Sequence, residues 1–73
     1  MIKHTTGDLL LASYLKASGV PLIDIYKSGA RGFFVFDVTV HEELIKAFDL
    51  GTGRVEPRTF IDVRAGLLSA LNR

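Results

Sequence analysis

The run Gly32-Phe33-Phe34-Val35-Phe36-Asp37-Val38 constrains the fold more than any other stretch of this chain. It is filled with aromatic and β-branched side chains, too short for a stable helix and too apolar for a loop, so it predicts a buried strand. Successive side chains of a strand point to opposite faces. Phe34, Phe36 and Val38 therefore share one face, and Phe33, Val35 and Asp37 share the other. Both faces carry large apolar groups, so something must cover each of them.

Immediately upstream, Pro21 holds its own φ and pushes Val20 out of the helical region. Leu22-Ile23-Asp24-Ile25-Tyr26-Lys27 then reads as a second strand. Strict alternation puts Ile23 and Ile25 on one face and Leu22 and Tyr26 on the other. Ser28-Gly29-Ala30-Arg31-Gly32 has the length and residue types of a hairpin loop, and so short a connection makes the two strands antiparallel.

Helices flank this ribbon. Leu9 to Ser18 is built mainly from good helix formers, with Thr5 and Thr6 as candidate N-caps, Asp8 in the first turn and Gly19 as the left-handed residue that ends it. Met1 to Thr6, polar and short, reads as a frayed or weakly extended lead-in. Thr39-Val40-His41-Glu42 has capping-box spacing, which predicts Thr39 as N-cap and Glu42 reaching back to it. The helix that follows carries Leu44, Ile45 and Phe48 and stops at Gly51. Pro57 suits the first turn of a last helix, where its missing N–H costs nothing. Phe60, Val63, Leu67 and Leu71 form the apolar stripe of that helix, and Gly66 within it predicts a close approach by a neighbouring element. The reading is an α+β fold in the order α-β-β-α-α, one antiparallel hairpin packed with three helices in a single domain spanning 1–73.

Size makes composition informative. A chain of 73 residues with 48% hydrophobic residues has more apolar surface than one small subunit easily hides, and domains this small usually need a disulfide, a metal or oligomerisation to be stable. The chain has no cysteine, which removes disulfides and thiolate chemistry and fits a reducing, cytoplasmic setting. His4 and His41 stand in no metal-spaced cluster, and no cofactor motif is present. Self-association, with a dimer as the simplest form, is the staple that remains. Leu22, Tyr26, Phe33 and Val35, as the second face of the ribbon, are the candidate oligomer interface, unless the first helix covers them.

Chemistry is scarcer. Nine Lys and Arg against eight Asp and Glu give a net charge of +1, without the excess that marks most nucleic-acid binders. Lys27 and Arg31 at the hairpin tip, with Arg54 and Arg58 farther on, are nonetheless the candidate phosphate or nucleic-acid contacts. Arg54 and Arg58 flank Gly51-Thr52-Gly53 and a helix N-terminus, a setting that suits phosphate, though it matches neither phosphate-loop nor dinucleotide fingerprints. Asp24, Asp37, Asp49 and Asp62 balance these cations. His41 beside Glu42 and Glu43 makes no catalytic constellation, since neighbours in a helical turn point apart. No serine sits in a nucleophile elbow. The residues predict a non-enzymatic module with no cofactor, no metal and no membrane span.

Thr6-Gly7-Asp8-Leu9 with Leu11-Ala12-Ser13-Tyr14-Leu15, Pro21-Leu22, Phe34-Val35-Phe36 and Val55-Glu56-Pro57-Arg58-Thr59-Phe60 together resemble a small family of uncharacterised domains found in phages, other mobile elements and some prokaryotes. The resemblance spans nearly the whole chain. It implies a small accessory protein, with no activity or catalytic residue to carry over.

Overall fold

The Phe-rich run is the central strand of a three-stranded antiparallel sheet in the computed structural model, which describes residues 1–72. In chain order the elements are β1 (Lys3–Thr6), α1 (Leu9–Ala17), β2 (Leu22–Ser28), β3 (Arg31–Asp37), α2 (Glu42–Asp49) and α3 (Pro57–Leu71). The sheet order is β1-β3-β2. β1 and β2 thus run parallel to each other with β3 inserted between them, a split β-α-β arrangement in which α1 is the crossover. The α+β class, the hairpin and the three helices are as read from the residues. β1 is an addition: the polar lead-in is a paired edge strand, with His4 opposite Phe36 and Thr6 opposite Phe34.

The hairpin is tighter than expected. Ser28 pairs with Arg31, so only Gly29 and Ala30 form the turn, and Gly29 takes the positive φ of 64° that such turns require. Arg31 and Gly32 belong to β3. Farther along, the β2–β3 register shifts between Leu22 and Asp24, so that Leu22 pairs with Phe36 and Ile25 with Phe34. Ile23 is the extra residue of this bulge. One inserted residue reverses the facing of everything before it, which corrects the expected alternation: Leu22 shares a face with Ile25, not with Tyr26.

All three helices pack on one side of the sheet. Leu11, Ala12, Tyr14 and Leu15 of α1 and Leu67 of α3 form a buried core with Val20, Phe34, Phe36 and Val38, against which Leu22, Ile25, Leu44, Ile45, Phe48, Phe60, Val63 and Leu71 pack. Ser13 lies within the same wall of α1, satisfied by donating its hydroxyl proton to the Leu9 carbonyl at 2.7 Å. α1 and α2 end in the same way. The N–H groups of Gly19 and Val20 donate to the carbonyls of Lys16 and Leu15, and those of Gly51 and Thr52 to Phe48 and Ala47. These are Schellman motifs, with Gly19 and Gly51 at positive φ. In the first, Val20 also closes over Leu15, both of them buried.

The helix starts differ from expectation. Asp8, not Thr5 or Thr6, caps α1, its carboxylate accepting from the N–H groups of Leu10 and Leu11. The Thr6 hydroxyl accepts from the Asp8 N–H one step earlier. Thr39 does not cap α2, which begins after His41 with no side-chain cap. Its hydroxyl donates to Asp37 and accepts from the Ile2 N–H, fastening the N-terminal segment to the end of β3. Gly66 faces open space, so no close approach within this subunit explains it.

Candidate functional site

No helix covers the other side of the sheet, where Phe33 and Val35 are half-buried and Tyr26 is exposed. Register places Lys3 and Thr5 of β1, Asp24 and Tyr26 of β2, and Arg31, Phe33, Val35 and Asp37 of β3 on that face. At its centre Phe33 and Tyr26 sit directly opposite each other with their rings stacked, centroids 5.4 Å apart and 23° between planes. The Arg31 guanidinium carbon lies 5.4 Å from the Phe33 ring centroid, a cation–π distance. Val35 continues the apolar strip along β3, and Tyr26 is 43% exposed. The strip is rimmed by two cations, Lys3 and Arg31, and two carboxylates, Asp24 and Asp37.

Of the four residues expected on the second ribbon face, the structure brings together Tyr26, Phe33 and Val35. Leu22 is separated from them by the bulge at Ile23: it stands on the helical face, packed against the core. α1 does not cover the strip, since its buried residues meet the opposite side of β3.

Comparison with protein-family models, with curated proteins and with solved structures finds no match.

The candidate basic residues divide into two groups. Lys27 pairs with Gly32 and Arg31 with Ser28, at the hairpin end of the sheet. The Leu71 side chain, in the last turn of α3, presses on Gly32 there, 2.6 Å from where a Cβ would stand. Arg54 and Arg58 lie at the other end of α3, and fifteen residues of helix put about 20 Å between the two groups. Lys27 and Arg31 are moreover on opposite faces of the ribbon. The start of α3 is also already supplied with an anion. Glu56 accepts from the Thr59 N–H at 2.6 Å and from the Thr59 hydroxyl at 2.9 Å, and these hydrogen bonds hold its carboxyl below the usual carboxylate range. A phosphate bound on the first-turn N–H groups of α3 would meet that charge.

The connector has a second role that residue types alone do not reveal. A groove of about 710 Å³ opens between α1, α2 and the start of α3, lined by Tyr14, Phe48, Gly53, Arg54, Val55, Pro57, Phe60 and Ile61. Its floor is the Tyr14 ring, tilted against Phe48 with centroids 5.5 Å apart. Gly53 rests on that ring so closely that a Cβ would come within 2.7 Å of Cζ. The one signal in the sequence was Gly53 itself, and there it reads equally well as a flexible linker.

Among the described residues, no three His, Asp or Glu side chains converge to hold a metal ion. No described helix is long and apolar enough to cross a membrane.

Proposed function

We propose that this chain is a non-enzymatic, self-associating module that acts by binding a partner, and that the first partner is a second copy meeting the uncovered sheet face. The observation that carries this reading is the placement of Tyr26, Phe33 and Val35 in one apolar strip with no helix over it. Burying such a strip recovers hydrophobic free energy that a chain of this size needs.

The sheet edges favour association by face over association by edge. β2 is bulged, follows Pro21, and has its Ile25 N–H engaged by the Asp24 carboxylate at 2.8 Å. β1 is only four residues long. Bulges, charges and short strands are the devices that discourage strand addition. The charge pattern favours a second copy over an unrelated partner. Arg31 and Asp37 lie at opposite ends of β3 on the same face, so a copy docked with its β3 antiparallel sets each Arg31 over the other copy's Asp37. A patch that is its own complement is what a twofold interface requires. The face is about 20 Å long and three strands wide, below the size of a standard stable interface, so the dimer is in the micromolar rather than the nanomolar range. We place the protein in the cytoplasm, a reducing setting that a cysteine-free chain fits.

Sedimentation velocity from about 1 µM to several hundred µM tests the proposal. The weight-average coefficient should rise from monomer to dimer for the native chain. Val35→Lys should stay monomeric with an unchanged far-UV spectrum. A native chain that remains monomeric throughout overturns the reading. The rival, nucleic-acid binding through Lys27, Arg31, Arg54 and Arg58, has less support, because those residues make no single footprint. A salt-sensitive shift of single- or double-stranded DNA or RNA would restore it.

A further inference from the structure

The groove over Tyr14 is independent of the sheet face, and its construction points to a ligand of its own. Phe48, Val55, Pro57, Phe60 and Ile61 make its walls apolar. Two groups break that pattern. One is Arg54, which is exposed and contributes a permanent cation to the lining. The other is Tyr14, a residue only 5% exposed. No side-chain hydrogen bond among the described residues uses its hydroxyl. Nor is any described buried side-chain oxygen left without a partner, so that hydroxyl keeps some exposure, beside Gly53 at the edge of the ring that floors the groove. Gly53 meets Tyr14 at this same atom, 2.8 Å from where its Cβ would be; the missing side chain is what leaves the phenol oxygen open.

We infer that this groove binds a small amphipathic carboxylate, with its hydrocarbon or aromatic body along Phe48, Val55 and Phe60 and its charged end between Arg54 and the Tyr14 hydroxyl. The argument is one of complementarity. The groove, about 710 Å³, is largely open to solvent, so it suits a small ligand laid along its surface, and apolar walls with a few polar groups are the usual make-up of small-molecule sites. A guanidinium and a phenolic O–H are both donors, and together they suit an anionic oxygen better than a cation or a neutral amide. An inorganic phosphate would leave the apolar walls unused, whereas Glu56, the anion that caps α3, is not among the residues that line the groove. A fatty or aromatic acid uses both halves of the site.

The probes are sodium octanoate and its neutral counterpart 1-octanol, titrated into the full-length ¹⁵N-labelled protein and followed by amide chemical shifts. Octanoate should give saturable shifts centred on Gly53, Val55 and Phe60, with octanol binding at least 10-fold more weakly. Arg54→Gln should erase that preference. Ile61→Glu should weaken octanoate by at least 10-fold through charge repulsion at the rim. Ile61 is 64% exposed and Arg54 is exposed, so both variants should fold, and their spectra outside the groove provide the check. The inference is overturned if octanoate gives no saturable shift up to several millimolar, if the shifts map elsewhere, or if octanol binds as tightly as octanoate.

Discussion

At the scale of single residues, Gly53 and two hydrogen-bonded carboxylates have sharp consequences. Gly53 has ordinary backbone torsion, so its glycine requirement comes from space alone: a methyl group there would meet the rigid ring of Tyr14, not a flexible chain end. Gly53→Ala should therefore cost about 1–3 kcal/mol by overpacking, read as a lowered urea midpoint with an unchanged slope. Asp37 and Glu56 act through protons. The hydroxyl and N–H of Thr39 donate to Asp37, and the N–H and hydroxyl of Thr59 to Glu56, and both carboxyls are held below their ordinary range. A carboxyl whose pKa is depressed by folding stabilises the folded state above its unfolded value, and that contribution disappears as pH falls through the folded value. Stability should thus be level above about pH 5 and fall below about pH 4. Urea midpoints across that range should show it, and Glu56→Gln should flatten the profile. Neither carboxyl's hydrogen bonding was fully legible in the sequence. Thr39 has capping-box spacing, but its hydroxyl is engaged by Asp37, two residues back, and by Ile2, a partner that only the folded sheet brings within reach.

At the scale of elements, the core strand and the helices were legible because their signals are local. Phe34, Phe36 and Val38 alternate as a strand must, and Gly19 and Gly51 mark the helix ends where the structure has them. What could not be read was set by pairing at long range. β1 is polar and short, and it is a strand only because β3 offers its free edge to it. The bulge at Ile23 leaves no mark in a run of apolar residues, yet it moves Leu22 to the other face of the sheet. Two charge insertions separate these faces. Leu22→Lys should destabilise the monomer by about 2 kcal/mol or more, since it sets an ammonium against the core. Val35→Lys should leave the monomer's unfolding midpoint nearly unchanged and reduce association instead. α3 supplies a contrasting case in Gly66, whose Cβ position is empty. Gly66→Ala should stabilise the helix by about 0.5–1 kcal/mol, seen as a thermal midpoint several degrees higher.

At the scale of the whole molecule, placing all three helices on one side divides the protein into a face that holds the core and an open face, the one proposed for association. The central strand belongs to both: its even-numbered residues from Phe34 to Val38 hold the core, and its odd-numbered residues from Arg31 to Asp37 line the open side. If two copies meet there about a twofold axis perpendicular to the strands, each dimer contains two equivalent Arg31–Asp37 encounters, one at either end of the apolar strip. Arg31→Glu alone turns both encounters into like-charge contacts, and so does Asp37→Lys. Each variant should dimerise at least several-fold more weakly than the native chain. An equimolar mixture of the two should recover, because Glu at position 31 of one copy then faces Lys at position 37 of the other, while the second encounter keeps its native pair. Sedimentation of the variants singly and mixed reads this directly, and added salt should shrink the differences as it screens the rim charges. Recovery only in the mixture establishes the antiparallel register. If the mixture stays as weak as its components while Val35→Lys still abolishes association, the face is right and the orientation of the second copy is not.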